Sequence, residues 1–216
     1  IKGRQTRPRS SMRGEEEREA FLMGMFNIAM GQAPVAVKEI DLSGRKHLLD
    51  LGGGPGTWAI HFCLENPGLR AAVFDLSSTR PFAEKTIAEF GLTDRIEFKE
   101  GDYLKDEIKG RYDVAWLSQI LHGEGPESCR SMIRKAVSVL EPGGLIFVHE
   151  FILNNDMAGP LHSALFSLNM LTGTRSGRSY SEEQIMDMLR DAGATNLRRL
   201  PFLSPNDSGI VAGTMP

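Results

Sequence analysis

The sequence predicts one α/β domain, built on a largely parallel sheet with helices on both faces. Strand-like and helix-like segments alternate along most of the chain, which is typical of such a sheet. A glycine-rich turn directly follows the first strand-like run. The chain has 216 residues, 41% of them apolar and 25% charged, which is enough for one well-buried domain and too little for two.

The first two segments of the chain precede this domain. Residues 1–14 combine basic side chains with Ser, Gly and Pro, a composition typical of a flexible tail. Residues 15–40 carry apolar residues at helical spacing, and Pro34 is placed to end or kink that helix. Residues 41–216 are then expected to form the α/β domain, with strands over 47–51, 70–75, 95–99, 112–118 and 145–151 and helices over 57–65, 80–90 and 127–140.

The C-terminal part predicts a helix followed by a hairpin. Ser181 and Gln184 match a capping box, so a helix is expected over 181–192, with Gly193 just past its end. Residues 197–203 and 208–214 have strand character and are separated by a Ser-Pro-Asn-Asp turn. The hairpin would complete a seven-stranded, mostly parallel sheet whose last strand is antiparallel.

The composition limits the classes of ligand and partner that the chain is expected to bind. A formal charge of −3 and a pI near 6.0 give no general attraction to nucleic acid or to an anionic membrane, so a small-molecule ligand is expected. No apolar core of signal-peptide length and no uninterrupted run of about 20 apolar residues is present, which predicts a cytoplasmic protein. Cys63 and Cys129 have neither disulfide nor metal-ligand spacing and are expected to be buried free thiols.

The most informative stretch is HLLDLGGGPG, residues 47–56. Gly52, Gly54 and Gly56 allow positive φ and a close approach to a ligand, with Gly53 between them, and the helix from Thr57 points its first N–H groups at the same place. Counted from Gly52, the spacing G-x-G-x-G is the pattern of S-adenosylmethionine (SAM) methyltransferases. Counted from Gly54, G-x-G-x-x-A also fits a dinucleotide-binding Rossmann loop. The loop alone leaves both cofactors open.

Acidic residues at strand ends favour SAM. Asp50 precedes the loop, where it suits a cationic amino-acid group and would repel a pyrophosphate. Asp75, with Leu76 beside it, ends the second strand at the offset where an acid binds ribose hydroxyls. Asp102 and Tyr103 follow the third strand and suit an adenine ring, although they equally suit a turn cap and packing. The chain contains no Tyr-x-x-x-Lys, which removes the commonest single-domain dehydrogenase chemistry.

A series of longer motifs carries a family resemblance. In order, they are LLDLGGGPGTWAIHF, VFDL, RIEFKEGDYL, YDVAWLSQILHG, LEPGGLIFVHEF and GRSYSEEQIMDMLRDAGA. Together, over about residues 20–214, they resemble the catalytic domain of SAM-dependent small-molecule O-methyltransferases, which include plant caffeic-acid and hydroxyindole enzymes and bacterial antibiotic-tailoring enzymes. The bacterial members are the closer match.

The resemblance implies a class I methyltransferase, Rossmann-like fold and SAM as the methyl donor, with S-adenosylhomocysteine (SAH) as its product and no metal. It implies transfer to a hydroxyl of a small aromatic or polyketide-like molecule of secondary metabolism. Family members usually carry a winged-helix dimerisation domain ahead of this one. This chain is then either a fragment or a reduced form, and its basic start at Ile1, which is not a methionine, favours a fragment. A homodimer is expected, especially if such an upstream domain exists.

The resemblance also assigns roles within the motifs. His122 in ILHG occupies the catalytic histidine position, where an imidazole removes the hydroxyl proton of the acceptor. The plainer alternative is a structural histidine. Glu150 matches a carboxylate that orients this histidine. Ser118 replaces a cofactor-contacting lysine of the plant enzymes, and Ser179 replaces their second glutamate, so a two-carboxylate arrangement is not expected.

Acceptor-binding residues follow from the same comparison. Met25 and Met170 match thioethers that clamp a flat aromatic acceptor, and Phe21, Phe166 and Asn169 are candidates of the same standing. Ordinary core packing is the alternative for each of them.

Other functions stay open at this point. Within the class, methyl transfer to carbon or nitrogen fits the same motifs, as does a SAM-binding protein without transfer activity. Metal-dependent catechol-type transfer would use Asn154, Asn155 and Asp156, but one carboxylate is a thin ligand set for a hard cation. Nucleotide-dependent redox chemistry is the last alternative.

Overall fold

Seven strands form one sheet in the order β3-β2-β1-β4-β5-β7-β6. The structure is a computed structural model that describes residues 14–216, with only the backbone of Leu203. The strands are His47–Leu51 (β1), Arg70–Asp75 (β2), Ile96–Glu100 (β3), Tyr112–Ser118 (β4), Leu140–Glu150 (β5), Thr195–Leu203 (β6) and Gly209–Thr214 (β7). The predicted basic tail, apart from Gly14, lies outside the described residues.

Seven helices lie in the described range, together with short 3-10 turns. They are Glu15–Met30 (α1), Ala33–Ala36 (α2), Thr57–Glu65 (α3), Arg80–Glu89 (α4), Pro126–Ser138 (α5), Leu161–Gly173 (α6) and Glu182–Asp191 (α7).

Strands β1 to β5 are parallel, and β7 runs antiparallel to both β5 and β6. The strand order reverses at β1, which pairs with β2 on one side and β4 on the other. In a sheet of this type, ligands bind beyond the carboxyl ends of the strands where the order reverses. The predicted seven-stranded, mostly parallel sheet is confirmed, and its functional edge is the end of β1 and β4.

Helices cover both faces of the sheet, as predicted. On one face, Cys129 and Met132 of α5 and Leu189 of α7 pack against Leu117. On the other, α3 and α4 form a second core around Trp116, whose ring centroid lies 4.8 Å from that of Trp58. Both cysteines are buried free thiols, as expected. The sheet is therefore held rigidly from both sides, which fixes the positions of its strand ends.

Several local predictions are confirmed at the C-terminus. The capping box of Ser181 and Gln184 begins α7, and Gly193 follows its end with a φ of 95°. Residues 204–208 join β6 and β7 into the antiparallel hairpin.

Three elements differ from prediction. Pro34 does not end or kink α1; that helix ends at Met30, and Pro34 instead lies in the first turn of α2, where its missing N–H costs nothing. The fifth strand begins at Leu140 rather than 145, because Tyr112 pairs with Leu140 and Val114 with Leu145, so the Pro-Gly-Gly segment between them bulges. Helix α5 accordingly ends at Ser138, before the predicted limit of 140.

Helix α6 has no counterpart among the elements predicted from the sequence. Its exposed leucines are Leu161, Leu165, Leu168 and Leu171. They recur at i, i+4, i+7 and i+10, a helical spacing from which the helix could have been predicted.

One stretch in the described range, Glu15–Glu39, is long and apolar enough to cross a membrane by length and composition, with a mean hydropathy of 1.4 over its most apolar window. The sequence predicted no membrane span. The finding is weak evidence for one, because a core helix or a signal sequence meets the same criteria. Here the helical hydrogen bonding is interrupted at Gly31 and Gln32.

Candidate active site

The glycine loop has the backbone conformation that the sequence predicted. Gly52, Gly54 and Gly56 have φ values of 66°, 55° and 80°, all in the left-handed region that favours glycine. A Cβ at Gly52 would lie 2.7 Å from Cγ2 of Ile120, so the loop also passes too close to its neighbour for a side chain. The loop is therefore a bare backbone cradle at the reversal point of the sheet.

Asp50 lies beneath this loop and is fully buried. Its Oδ2 accepts a hydrogen bond from the backbone N–H of Ala59 at 3.1 Å, in the first turn of α3. Its Oδ1 is buried without a hydrogen-bond partner among the described residues. Burial raises the pKa of Asp50 to about 7. A buried acceptor oxygen without a donor is costly, so this side chain fits a ligand that brings an N–H group or a positive charge.

Gly53 is the residue that lets the loop close over Asp50. A Cβ at this position would lie 2.6 Å from Cγ of Asp50, which is inside van der Waals contact. The Asp50 carboxyl cannot move aside freely to make room for this Cβ, because it is hydrogen-bonded to the backbone N–H of Ala59. The sequence analysis named Gly53 only as a member of the loop, so this steric role is a structural finding.

We expect Gly53→Ala to weaken SAH binding by about tenfold or more, because the methyl group must displace Asp50 or lift the loop. Isothermal titration calorimetry with SAH measures the change. Gly24→Ala is the matched control, since a Cβ at Gly24 meets nothing within 4 Å. Unchanged affinity in Gly53→Ala would show that the loop does not hold the ligand.

Asp75 at the end of β2 fixes the loop from the other side. Its Oδ2 accepts from the N–H of Gly54 at 2.8 Å, and its Oδ1 accepts from the N–H of Leu76 at 2.7 Å and from Oγ1 of Thr79 at 3.2 Å. Burial raises the pKa of Asp75, against the opposing effect of these hydrogen bonds. A carboxylate offers about four acceptor sites, so Asp75 retains capacity for a ribose hydroxyl.

Asp102 and Tyr103 follow β3, as predicted, and Asp102 is engaged locally. Its Oδ2 lies 2.8 Å from Nζ of Lys105, and its Oδ1 accepts from the N–H of Leu104 at 2.9 Å. These contacts match the alternative that Asp102 caps a turn. The Tyr103 ring lies beside the loop, with its Cε1 3.4 Å from the position of a Cβ at Gly52. Both assignments to the adenine site stay predictions.

His122 and Glu150 form a hydrogen-bonded pair. His122 lies in the 3-10 turn Leu121–Gly123 after β4, and its Nδ1 is 2.9 Å from Oε2 of Glu150 at the end of β5. Glu150 also accepts from the backbone N–H groups of Leu121, His122 and Phe151. A carboxylate surrounded by donors is the charged form, so Nδ1 of His122 carries the hydrogen and Nε2 presents its lone pair.

The charge of Glu150 is stabilised within the pair. Burial alone would raise its pKa, but the adjacent His122, through its positive charge when protonated and through its hydrogen bonds, outweighs that effect and holds the pKa below its ordinary value. Glu150 is only 2% exposed, whereas the His122 side chain is 16% exposed. The charged carboxylate of Glu150 is therefore buried, whereas part of the His122 imidazole is accessible.

An aromatic wall stands against His122. The Phe166 ring on α6 meets the imidazole edge to face at a centroid distance of 4.8 Å, and Phe151 lies 4.3 Å from Phe166. Phe166 was among the predicted acceptor-binding residues. Phe151 was not, although its position directly after Glu150 at a strand end could have indicated it. The wall places an apolar, flat surface beside the basic nitrogen.

The other predicted acceptor residues lie at varying distances from this wall. Asn169 and Met170 follow Phe166 along α6, one turn further on. Met25 is 42% exposed on α1, a helix that packs chiefly against α2 and α3, and Phe21 lies on the same helix. Of the predicted acceptor residues, Phe166 is the one whose ring the structure places against His122.

The loop between α6 and α7 packs against the turn Leu121–Gly123, which the sequence did not reveal. A Cβ at Gly177 would lie 2.3 Å from the carbonyl oxygen of His122, so only glycine fits. The hydroxyl of Tyr180, a buried residue, donates to the carbonyl of Glu124 at 2.6 Å. Ser179 donates to the carbonyl of Ser163 and offers no second carboxylate.

Within residues 14–216, no group of three or more His, Cys, Asp or Glu side chains is arranged to hold a metal ion. Two members of the Asn-Asn-Asp segment after β5 accept hydrogen bonds from backbone N–H groups. Asn155 accepts from the N–H of Glu183, and Asp156 accepts from the N–H of Ala158.

Comparison with known proteins adds three findings. A sequence model of the family described as O-methyltransferase domain matches residues 8–195. The chain is 35% identical over 195 residues to 3-hydroxy-5-methyl-1-naphthoate 3-O-methyltransferase of Streptomyces sahachiroi, covering 90% of this chain and 56% of that one. It is 33% identical to L-tyrosine C(3)-methyltransferase of Streptomyces lavendulae, over 82% of this chain and 50% of that one.

A solved structure shares the fold. The crystal structure of human N-acetylserotonin methyltransferase in complex with SAM superposes with a TM-score of 0.82 at 27% identity, covering 94% of this chain and 56% of that one. The chain therefore spans little more than half the length of the relatives it matches.

Proposed function

The chain belongs to the O-methyltransferase domain family, and we propose that it transfers the methyl group of SAM to a hydroxyl of a small molecule, with His122 as general base. The observation that carries this proposal is the His122–Glu150 pair at the carboxyl edge of the sheet. A module that only bound SAM would have no need of a basic nitrogen held toward an apolar wall.

The residues at the loop fit SAM. Asp50, with its partnerless Oδ1, would hold the ammonium group, and Asp75 would hold the ribose hydroxyls. The bare backbone of the glycine loop would lie against the ligand, with Leu76, Asp102, Tyr103 and Ser118 as further contacts. When bound, SAM supplies an electrophilic methyl group on a positively charged sulfur. A pyrophosphate would meet the Asp50 carboxyl instead, which favours SAM over a dinucleotide.

The chain's own residues would supply the base. Nε2 of His122 takes the proton of the acceptor hydroxyl as the oxygen becomes nucleophilic, and the imidazole becomes positively charged. Glu150, ionised and hydrogen-bonded to Nδ1, stabilises that charge and fixes the ring's orientation. General base catalysis of this kind contributes about a hundred- to ten-thousand-fold in rate.

The acceptor is proposed to be aromatic. Phe151 and Phe166 offer a flat apolar surface next to His122, which suits a planar ring whose hydroxyl reaches Nε2. Asn169, Met170 and Met25 are proposed as further acceptor contacts. The relative from Streptomyces sahachiroi is named for a naphthoate, which is an aromatic hydroxyl compound of this shape.

Transfer to carbon is the second candidate. It is favoured by the relative from Streptomyces lavendulae, whose name specifies methylation at a carbon of tyrosine. A phenol ring activated by loss of its proton is nucleophilic at carbon as well as oxygen, so the same base serves both reactions. Analysis of the product by NMR distinguishes an O-methyl from a C-methyl group.

The experiment that tests the proposal combines binding and turnover. We expect calorimetry to show binding of SAM and SAH without binding of NAD, and 3-hydroxynaphthoates to accept a labelled methyl group from SAM. Transfer is expected to persist with a strong chelator present. Binding of NAD without SAM would overturn the cofactor, and loss of transfer on chelation would overturn the metal-free mechanism. A cytoplasmic homodimer stays a prediction from the sequence.

A further inference from the structure

His149 is a buried histidine that the proposed mechanism does not use. It precedes Glu150 on β5 and points to the opposite face of the sheet, where its ring stacks on Trp116 at 5.8 Å and meets Trp58 edge to face at 4.9 Å. The residue is 1% exposed, and burial lowers its pKa to about 4. The imidazole is therefore neutral near pH 7, and one ring nitrogen donates while the other accepts.

Both ring nitrogens have serine partners. Nδ1 lies 2.8 Å from Oγ of Ser118 at the end of β4, and Nε2 lies 2.8 Å from Oγ of Ser208. Ser208 Oγ in turn lies 2.5 Å from Oγ of Ser204, whose hydroxyl donates to the side-chain oxygen of Asn206. These five side chains, which we call the serine relay, link the functional edge of the sheet to the β6–β7 turn.

The hydrogens in the serine relay can be ordered by counting. With the side-chain oxygen of Asn206 assigned as the acceptor, the single hydroxyl hydrogen of Ser204 goes to Asn206, so Ser204 accepts the hydrogen of Ser208. Ser208 then has no hydrogen left for the imidazole and accepts from Nε2–H of His149. Because His149 is neutral, its Nδ1 is the acceptor, and the Ser118 hydroxyl donates to it.

Because the Ser118 hydroxyl hydrogen is used in the bond to His149, Ser118 can only accept a hydrogen bond from any other partner. Leu117 pairs with Leu51 in the sheet, so Ser118 lies beside Gly52. Ser118 is half-buried, whereas His149 and Ser208 are buried. We propose that the serine relay fixes Ser118 as a hydrogen-bond acceptor that receives an N–H or O–H group of SAM, and that His149 and Ser208 are positioning residues for it. This inference rests on the proposed function.

The first test determines, without any ligand, which ring nitrogen of His149 carries the hydrogen. In the full chain labelled with nitrogen-15, the NMR shifts of the His149 ring nitrogens distinguish the two neutral forms. We expect the Nε2–H form near pH 7. The Nδ1–H form, or a charged ring at that pH, would overturn the proposal, because Ser118 would then not be held as an acceptor.

The second test measures the effect on the ligand site from a distance. Ser208→Ala removes the acceptor for Nε2–H, so we expect the ring to shift toward the Nδ1–H form and the dissociation constant of SAH to rise about two- to tenfold, the value of one hydrogen bond. Ser138→Ala is the control, because that hydroxyl bonds only within its own helix. A changed ring form with unchanged SAH affinity would overturn the proposal.

A double-mutant cycle separates this mechanism from a general structural effect. If Ser208 acts through Ser118, its substitution should have no further effect on SAH affinity in a Ser118→Ala background. An effect that persists there would show a merely structural role. Absence of SAH binding by the wild-type chain would overturn the proposed function and the ligand assignment together, whereas the ring form of His149 reports the relay independently.

Discussion

Replacing His122 by alanine is expected to lower kcat for methyl transfer by about a hundred- to ten-thousand-fold, the usual contribution of a general base. The substitution removes the imidazole that Glu150 holds through Nδ1 and that lies against the Phe166 ring. SAH binding should be nearly unchanged, because Asp50, Asp75 and the glycine loop keep their contacts. Initial rates with labelled SAM and calorimetry with SAH measure the two effects separately.

His47→Ala is the control for this substitution, because His47 is exposed at the opposite edge of the sheet, at the start of β1. It should leave kcat unchanged. If His122→Ala retained wild-type turnover with a confirmed acceptor, His122 would be a structural histidine, and catalysis would rest on positioning the acceptor near the donor.

The second large effect is expected for Glu150→Gln, with a fall in kcat of about a hundredfold or more, as when the charged partner of a catalytic histidine is neutralised. The amide cannot balance the charge that His122 gains. Its NH2 group also faces hydrogen donors, since Glu150 accepts from the N–H groups of Leu121, His122 and Phe151. Glu127→Gln, an exposed position on α5, is the control.

The pH dependence of stability tests independently whether Glu150 is ionised in the folded chain. The pKa of Glu150 lies below its ordinary value of 4.5 in the folded chain. A group with a depressed folded pKa contributes stability above the unfolded pKa and loses it as the pH falls through the folded pKa. The free energy of unfolding of the wild type should therefore exceed that of Glu150→Gln above about pH 5. That difference should narrow below pH 4.5. Urea denaturation across this range tests it, and a difference independent of pH would contradict an ionised Glu150.

The parts of the site that the sequence predicted are those with a local signature. Positive φ at Gly52, Gly54 and Gly56 follows from spacing alone, and Asp75 follows from its distance along the chain from the loop. The fold was equally accessible, since strand and helix periods alternate clearly. Each of these features depends on residues close in sequence or on a repeating pattern.

The parts that sequence reasoning missed depend on contacts between distant segments. Gly177 meets the backbone of His122, and Tyr180 meets Glu124, across more than 50 positions in each case. The bond from Ser118 to His149 likewise joins two strands. No spacing rule relates such residues, because only the packed chain brings them together.

The tight approach of Gly177 to His122 bears on how acceptor preference can diversify. Helix α6 places Phe166 against His122, and the segment that follows α6 is in close contact with the backbone of the turn Leu121–Gly123. Side chains along α6 can therefore vary to suit new acceptors, whereas position 177 admits no side chain without tilting the base. We expect libraries that randomise α6 to yield altered acceptor ranges, and those that include position 177 to return glycine almost exclusively among active clones.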